Sequence, residues 1–175
     1  FENTPLSAIT VKKVDSSTGD PLQGAWFRVR FLGGTSGTGG TVIAERQTSS
    51  NGTFILTGLK AGTYVVEEIS APDGYVLSEN DIQTVYLSGN EQDVITVTFG
   101  NEAKGSVLIK KIDAITREPL SDVEFMVTES NGTVVGNRNG KYVTDSVGTI
   151  LIDGLDPNTT LVIKEVRAKS GYVLD

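Results

Sequence analysis

The sequence predicts an all-β protein made of tandem antiparallel β-sandwich domains, each with about seven strands. Three observations predict it. Short runs that alternate apolar and polar residues dominate the chain, with turn formers between them. No long window carries a helical apolar stripe. The chain also repeats itself: ITVKKVDSSTGDPLQGAWF from Ile9 aligns with VLIKKIDAITREPLSDVEF from Val107, and Lys13 then meets Lys111.

The strands follow in order. Runs at 8–14, 25–32, 41–47, 53–57, 63–69, 82–88 and 93–99 read as the first sandwich. The breakers STGDP, GGTSGTGG, SSNG, KAG, APDG and SGNE separate them. The glycine-rich run 33–40 is a surface loop, and no Gly-Lys-Ser/Thr follows it to make a phosphate cradle. Farther on, GTFILTGLKAGTYVVEEISAPDGYVL aligns with GTILIDGLDPNTTLVIKEVRAKSGYVLD, which pairs Glu68 with Glu165 and Gly74-Tyr75 with Gly171-Tyr172. FENTPLSA at the start matches FGNEAKGS at Phe99. The expected organisation is therefore the tail of a preceding repeat over 1–5, a complete domain over 6–103, and a second domain over 104–175. That second domain has no counterpart of IQTVYL and DVITVTF, so an open sheet edge is expected there.

Composition removes many functions. With 38% apolar and 21% charged residues the chain can bury a core. A net charge of -7 argues against a nucleic-acid partner. Histidine and cysteine are both absent, which excludes a Ser-His-Asp triad, a thiolate nucleophile, a disulfide and Cys- or His-ligated zinc. No apolar stretch is long enough to span a bilayer as a helix. No cofactor, no metal and no membrane contact are expected, and no turnover of an external substrate.

Three polar residues fall on the apolar side of their strands. Alternate residues of a strand share a face. Ile9 and Val11 point inward, so Lys13 does too; Tyr64 and Val66 carry Glu68 with them; Ile95, Val97 and Phe99 carry Asn101. The second unit repeats the first two patterns with Val107, Ile109, Lys111 and with Leu161, Ile163, Glu165. Two readings stay open on the pattern alone. Each residue could sit at a strand end and reach solvent, or the three could form a buried cluster. Burial lowers a lysine pKa and raises a glutamate pKa. A neutral amine is a nucleophile, and a protonated carboxyl can polarise a carboxamide and shuttle protons. The product would be an amide between Lys13 and Asn101, with ammonia lost, once per molecule.

At these residues the chain resembles the Cna protein B-type repeats, the SpaA-like or prealbumin-like domains of Gram-positive surface adhesins and pilins. The resemblance rests on Lys13, Asp15, Pro21-Leu22, Gly24-Ala25, Phe27, Tyr64, Glu68, Ala71-Pro72, Gly74-Tyr75 and Asn101, and it covers 7–103. It implies a prealbumin-like sandwich with an autocatalytic Lys-Asn isopeptide bond: Lys13 is the amine, Asn101 the acceptor and Glu68 the acid/base. In the second unit it implies Lys111 and Glu165 as candidates, though Asp122-Val123 replaces Gly-Ala, Leu161 replaces the tyrosine and Lys169 replaces the proline. Asn3 would be the acceptor of the preceding repeat.

The resemblance implies a structural stalk on the bacterial cell surface, extracellular and anchored to the cell wall through regions outside this segment. Its partners would be neighbouring repeats of the same polypeptide. The alternative is an adhesin module that contacts host matrix or a cell-surface ligand through loops 33–40 or 131–140; a support domain for an enzyme is a third reading. Asn51, Asn131 and Asn158 fit glycosylation sequons but read better as turn residues, as do Asp15, Asp20 and Asp113. Trp26 is expected to pack in the core or at a sheet edge.

Overall fold

The computed structural model describes residues 7–33, 39–89, 93–136 and 138–174. The expected tail at 1–5 and its Asn3 lie outside the described residues, as do parts of the two loops, 34–38 and 137. The chain divides into two compact units, Phe1–Ala103 and Lys104–Asp175.

The first unit contains β1 (Ser7–Asp15), β2 (Trp26–Gly33), β3 (Thr41–Gln47), β4 (Thr53–Leu59), β5 (Gly62–Ser70), β6 (Tyr75–Val76), β7 (Ile82–Leu87) and β8 (Val94–Ala103). One sheet has the order β4-β1-β8-β6 and the other β3-β2-β5-β7. Every pairing is antiparallel except β1 with β8, which run parallel in unbroken register from Ala8↔Val94 to Asp15↔Asn101. A parallel pair needs a long crossover connection, and here the rest of the unit supplies it. The first and last strands therefore lie side by side.

Alternation places the core where the sequence puts it. Ile9, Val11, Phe27, Val29, Tyr64, Val66, Val85, Leu87, Val97 and Phe99 are buried together. Phe27 meets the Phe99 ring edge-on at 4.9 Å and the Phe54 ring at 5.6 Å. Two features go beyond the sequence pattern. β8 continues past Phe99 to Ala103, because β6 gives its far end a partner through Tyr75↔Ala103 and Val76↔Glu102. β6 itself is too short to show a period. Trp26 departs from expectation: it is 43% exposed, on the outward face of β2.

The second unit contains β9 (Gly105–Lys110), β10 (Glu124–Glu129), β11 (Lys141–Val143), β12 (Thr149–Leu155) and β13 (Leu161–Arg167). Its sheets are β11-β10-β13 and β12-β9. Leu120, Val123, Phe125, Val127, Val135, Ile150 and Ile152 form its core. Among the described residues no strand pairs with the second edge of β9 or the outer edge of β13. For that reason Ile163, expected inward, is 41% exposed, while its counterpart Val66 between β2 and β7 is fully buried.

A threonine staple recurs in both units. Thr48 Oγ1 donates to Leu22 O (2.8 Å) and accepts from Ala25 N (3.1 Å). Thr144 Oγ1 donates to Leu120 O (2.7 Å) and accepts from Val123 N (3.0 Å). Each ties the segment after the first strand to the start of the next. A left-handed glycine sits against the same segment: a Cβ on Gly52 would stand 2.6 Å from Lys13 O, and one on Gly148 2.6 Å from Lys111 O.

Candidate functional site: a buried amine, carboxyl and carboxamide

The first unit brings Lys13, Glu68 and Asn101 together. Lys13 projects inward near the end of β1, and the chain holds it there through Lys13 N donating to Gly52 O (2.7 Å) and Leu22 N donating to Lys13 O (3.0 Å). Phe99 is its register partner on β8, and Asn101 follows on the same face. Glu68 comes from the opposite sheet, in register with Phe27. A register shift in β2–β5 lies immediately beside that pair, between Trp26 and Phe27. It turns the end of β5 away from regular pleating at the glutamate.

The side chains of Lys13 and Glu68 are 0% exposed, and Asn101 is buried beside them. Asn101 Nδ2 donates to Glu68 Oε1 at 2.7 Å. Lys13 Nζ stands 3.3 Å from Glu68 Oε2, close in charge yet outside hydrogen-bond geometry. Nζ, Glu68 Oε2 and Asn101 Oδ1 make no hydrogen bond. Leaving such groups unpaired in an apolar interior is costly, and the charged forms suffer most. Burial pushes the Lys13 pKa below its ordinary value, against the opposing pull of the Glu68 charge. Burial pushes the Glu68 pKa up, against the pull of Lys13 and the Asn101 hydrogen bond. Both shifts favour neutral amine beside neutral acid.

The second unit brings Lys111 and Glu165 together differently. Lys111 Nζ donates to Glu165 Oε2 at 2.7 Å, and the two side chains are 26% and 10% exposed. Glu165 is again in register with the phenylalanine, Phe125, and again beside a register shift. The pair lines a cavity of about 210 Å³ that also touches Asp113, Leu120, Lys169 and Tyr172. No carboxamide meets this pair among the described residues.

Two further residues escaped the periodicity argument. Asp15 caps its own turn, accepting from Ser17 N (2.7 Å) and Thr18 N (3.0 Å), and also accepts from Tyr75 Oη at 3.1 Å. The Ser17 hydroxyl, donating to Oδ1 at 2.5 Å, leads these bonds in holding its carboxyl down at a pKa of about 2. Asp113 and Tyr172 repeat the link at 2.8 Å. The repeat itself was the available signal, since both members recur in the aligned copy. The turn reading of Asn51 and Asn131 agrees with their side chains, whose Oδ1 atoms accept from Thr53 N and Thr133 N. No cluster of metal-ligating residues occurs among the described residues.

A family model described as the SpaA prealbumin-like fold domain matches residues 7–103 and again 105–175. The trypsin-resistant surface T6 protein of Streptococcus pyogenes is 27% identical over 170 residues, covering 87% of this chain and 30% of its own length. The chain thus spans about a third of that curated relative. Among solved structures, a streptococcal ancillary pilin superposes with a TM-score of 0.52 at 24% identity, over 98% of this chain and 56% of its own. The shaft pilin SpaA of Lactobacillus rhamnosus GG superposes with a TM-score of 0.56 at 18% identity, over 98% of this chain and 91% of its own. At these identities the two structures speak for the shared fold.

Proposed function

The chain belongs to the SpaA family of prealbumin-like fold domains, and from that premise we propose that it is a structural stalk segment of a Gram-positive cell-surface adhesin or pilus, closed in its first unit by a Lys13–Asn101 amide. Residues 6–103 and 104–175 act as successive modules of an extracellular, wall-anchored shaft. The observation that carries the reading is the sealed contact of Lys13, Glu68 and Asn101. A structural pair could be satisfied at a strand end in water; this one is held dry and half unpaired.

The chemistry follows from neutral partners. The carboxamide of Asn101 turns about Cβ–Cγ, an exchange of nearly isosteric O and N, and presents Oδ1 to the protonated Glu68. The neutral Lys13 amine attacks Cγ as Glu68 gives its proton to Oδ1. The resulting carboxylate takes a proton from the new ammonium and passes it to Nδ2. The Cγ–Nδ2 bond breaks, ammonia leaves, and Glu68 recovers its proton from the hydroxyl as the carbonyl re-forms. Fixed proximity supplies several kcal/mol of the barrier lowering. The product joins β1 to β8, the strands nearest the two ends of the unit, so tension runs through a covalent bond. Lys111 and Glu165 are the corresponding pair of the second unit.

Intact-mass measurement tests this. Wild-type protein is expected to weigh about 17 Da less than its sequence, the mass of one ammonia lost to amide formation. Lys13→Ala and Asn101→Ala should restore the full mass, and Glu68→Ala should leave most molecules unbonded. A wild type at full sequence mass sinks the mechanism and leaves the fold standing. Ligand binding is the second reading, and one observation favours it: Trp26, Ile82 and Tyr86 are exposed on strands β2 and β7. Loss of matrix binding in Trp26→Ala/Tyr86→Ala, with the mass deficit intact, would support it.

A further inference from the structure

We infer that Tyr75 and Asp15 form a bar across β8 that positions the Asn101 side chain and shuts water out of the reacting cluster; the catalytic part of this inference rests on the amide proposed above. β8 lies between β1 and β6 in its sheet. Asp15 on β1 is the register partner of Asn101, and Tyr75 on β6 is the register partner of Ala103. Residues 101 and 103 share a face of β8. The Tyr75 Oη–Asp15 Oδ2 hydrogen bond therefore spans β8 on the face from which Asn101 projects.

The ends of the bar are anchored independently. Asp15 is fixed by the Ser17 and Thr18 amides. Ser16 N donates to Asn101 O at 2.9 Å, and a Cβ on Gly100 would meet Ser16 Oγ at 2.6 Å, so the turn after β1 lies directly on β8 at the acceptor residue. Tyr75 is anchored by β6 and by Tyr75 N donating to Pro72 O. The second unit separates cause from consequence. Tyr172 and Asp113 make the same hydrogen bond at 2.8 Å, beside the cavity at Lys111 and Glu165, with no described strand beneath them. The bar thus forms without a carboxamide strand to organise it. In the first unit β8 lies under it.

Tyr75 is on this account a positioning residue, acting on Asn101 without touching Lys13. Two measurements test it. In a pulse of cell-free synthesis, Tyr75→Phe should lose ammonia about tenfold more slowly than wild type, because a loosened acceptor misses its attack geometry. Asp15→Asn keeps Oδ1 for the Ser17 and Thr18 amides and puts an NH2 where Oδ2 stood, which donates to the Tyr75 hydroxyl oxygen and keeps the bar, so it should stay within about twofold of wild type. The second measurement needs no reaction. In a Lys13→Met background, Tyr75→Phe should raise exchange of the Asn101 side-chain NH2 about tenfold, while the Val11 backbone amide keeps its protection. An unchanged Asn101 exchange rate overturns the inference, whether or not wild type forms the amide. With the amide formed, a Tyr75→Phe rate equal to wild type, or an Asp15→Asn rate as low as Tyr75→Phe, overturns it as well. A wild type that never loses ammonia refutes the amide separately.

Discussion

The two units carry the same lysine and glutamate on the same scaffold, yet only one pair is sealed. Lys13 N meets Gly52 O as Lys111 N meets Gly148 O, and Glu68 faces Phe27 as Glu165 faces Phe125. The local machinery is equivalent. What differs is β8, which lays Phe99 and Asn101 along the Lys13 side of β1. With it the amine and acid are dry, 3.3 Å apart and pushed toward neutrality. Beside β9 no such strand is described, and the pair is a 2.7 Å hydrogen-bonded ion contact open to solvent. Residue identity supplies the two side chains; the neighbouring strand decides whether they are sealed from water.

The sharpest way to break the comparison is to remove the proposed cross-link. Asn101→Ala deletes the acceptor and leaves Lys13 and Glu68 in place. It should lower the stability of the first unit by about 4 kcal/mol, the effect of a cross-link closing a loop of roughly 90 residues. Trp26 is the sole tryptophan and lies in the first unit, so its fluorescence reads that unit's unfolding in denaturant. A shift well under 1 kcal/mol would mean that no bond was present to lose.

Next come the two glutamates. In the unbonded Asn101→Ala background, Glu68→Ala strands a buried lysine and should cost about 3 kcal/mol. Glu165→Ala removes one member of a partly exposed pair and should cost under about 1 kcal/mol. Denaturant midpoints from Trp26 fluorescence, and amide exchange at Val127 for the second unit, read the two effects. Equal costs would show that solvent access does not distinguish the pairs.

The threonine staples work in the opposite sense, because they are alike. Thr48→Val and Thr144→Val each leave a buried carbonyl and amide short of a partner, at about 2 kcal/mol apiece. The same two probes should report equal losses. Unequal losses would show that the units differ in their scaffold and not only beside β8.

Much of this was legible in the sequence. The period of two in β1, β5 and β8 places Lys13, Glu68 and Asn101 on the inward face with Val11, Val66 and Phe99. Their convergence could not be read that way. It depends on the β1–β8 parallel register and on the shift beside Glu68, and neither leaves a periodic trace. β6 is two residues long and Tyr75 reaches Asp15 across sixty positions, so only the repeated Asp-and-Tyr pairing hinted at the link. Ile163 shows the converse: it shares a face with the buried Val127, as alternation requires, yet it stays exposed because burial needs a neighbouring strand on that side.

The smallest effect concerns a residue that departs from the first unit's pattern. Gly24 adopts φ +97°, a conformation open to glycine, and its counterpart Asp122 adopts φ +61°. Aspartate tolerates the left-handed region better than most residues but is strained there relative to glycine. Its amide still donates to Thr144 O, as Gly24 N donates to Thr48 O, so the turn is kept at the expense of that strain. Asp122→Gly should therefore stabilise the second unit by about 0.5 kcal/mol, the strain relief exceeding the entropy that glycine adds to the unfolded chain. Gly24→Asp should destabilise the first by about as much or more. Slower exchange at Val127 in the first variant and a lower Trp26 midpoint in the second would place the two units on one backbone template. Opposite signs would mean that the Asp122 side chain stabilises its turn by more than the strain it introduces.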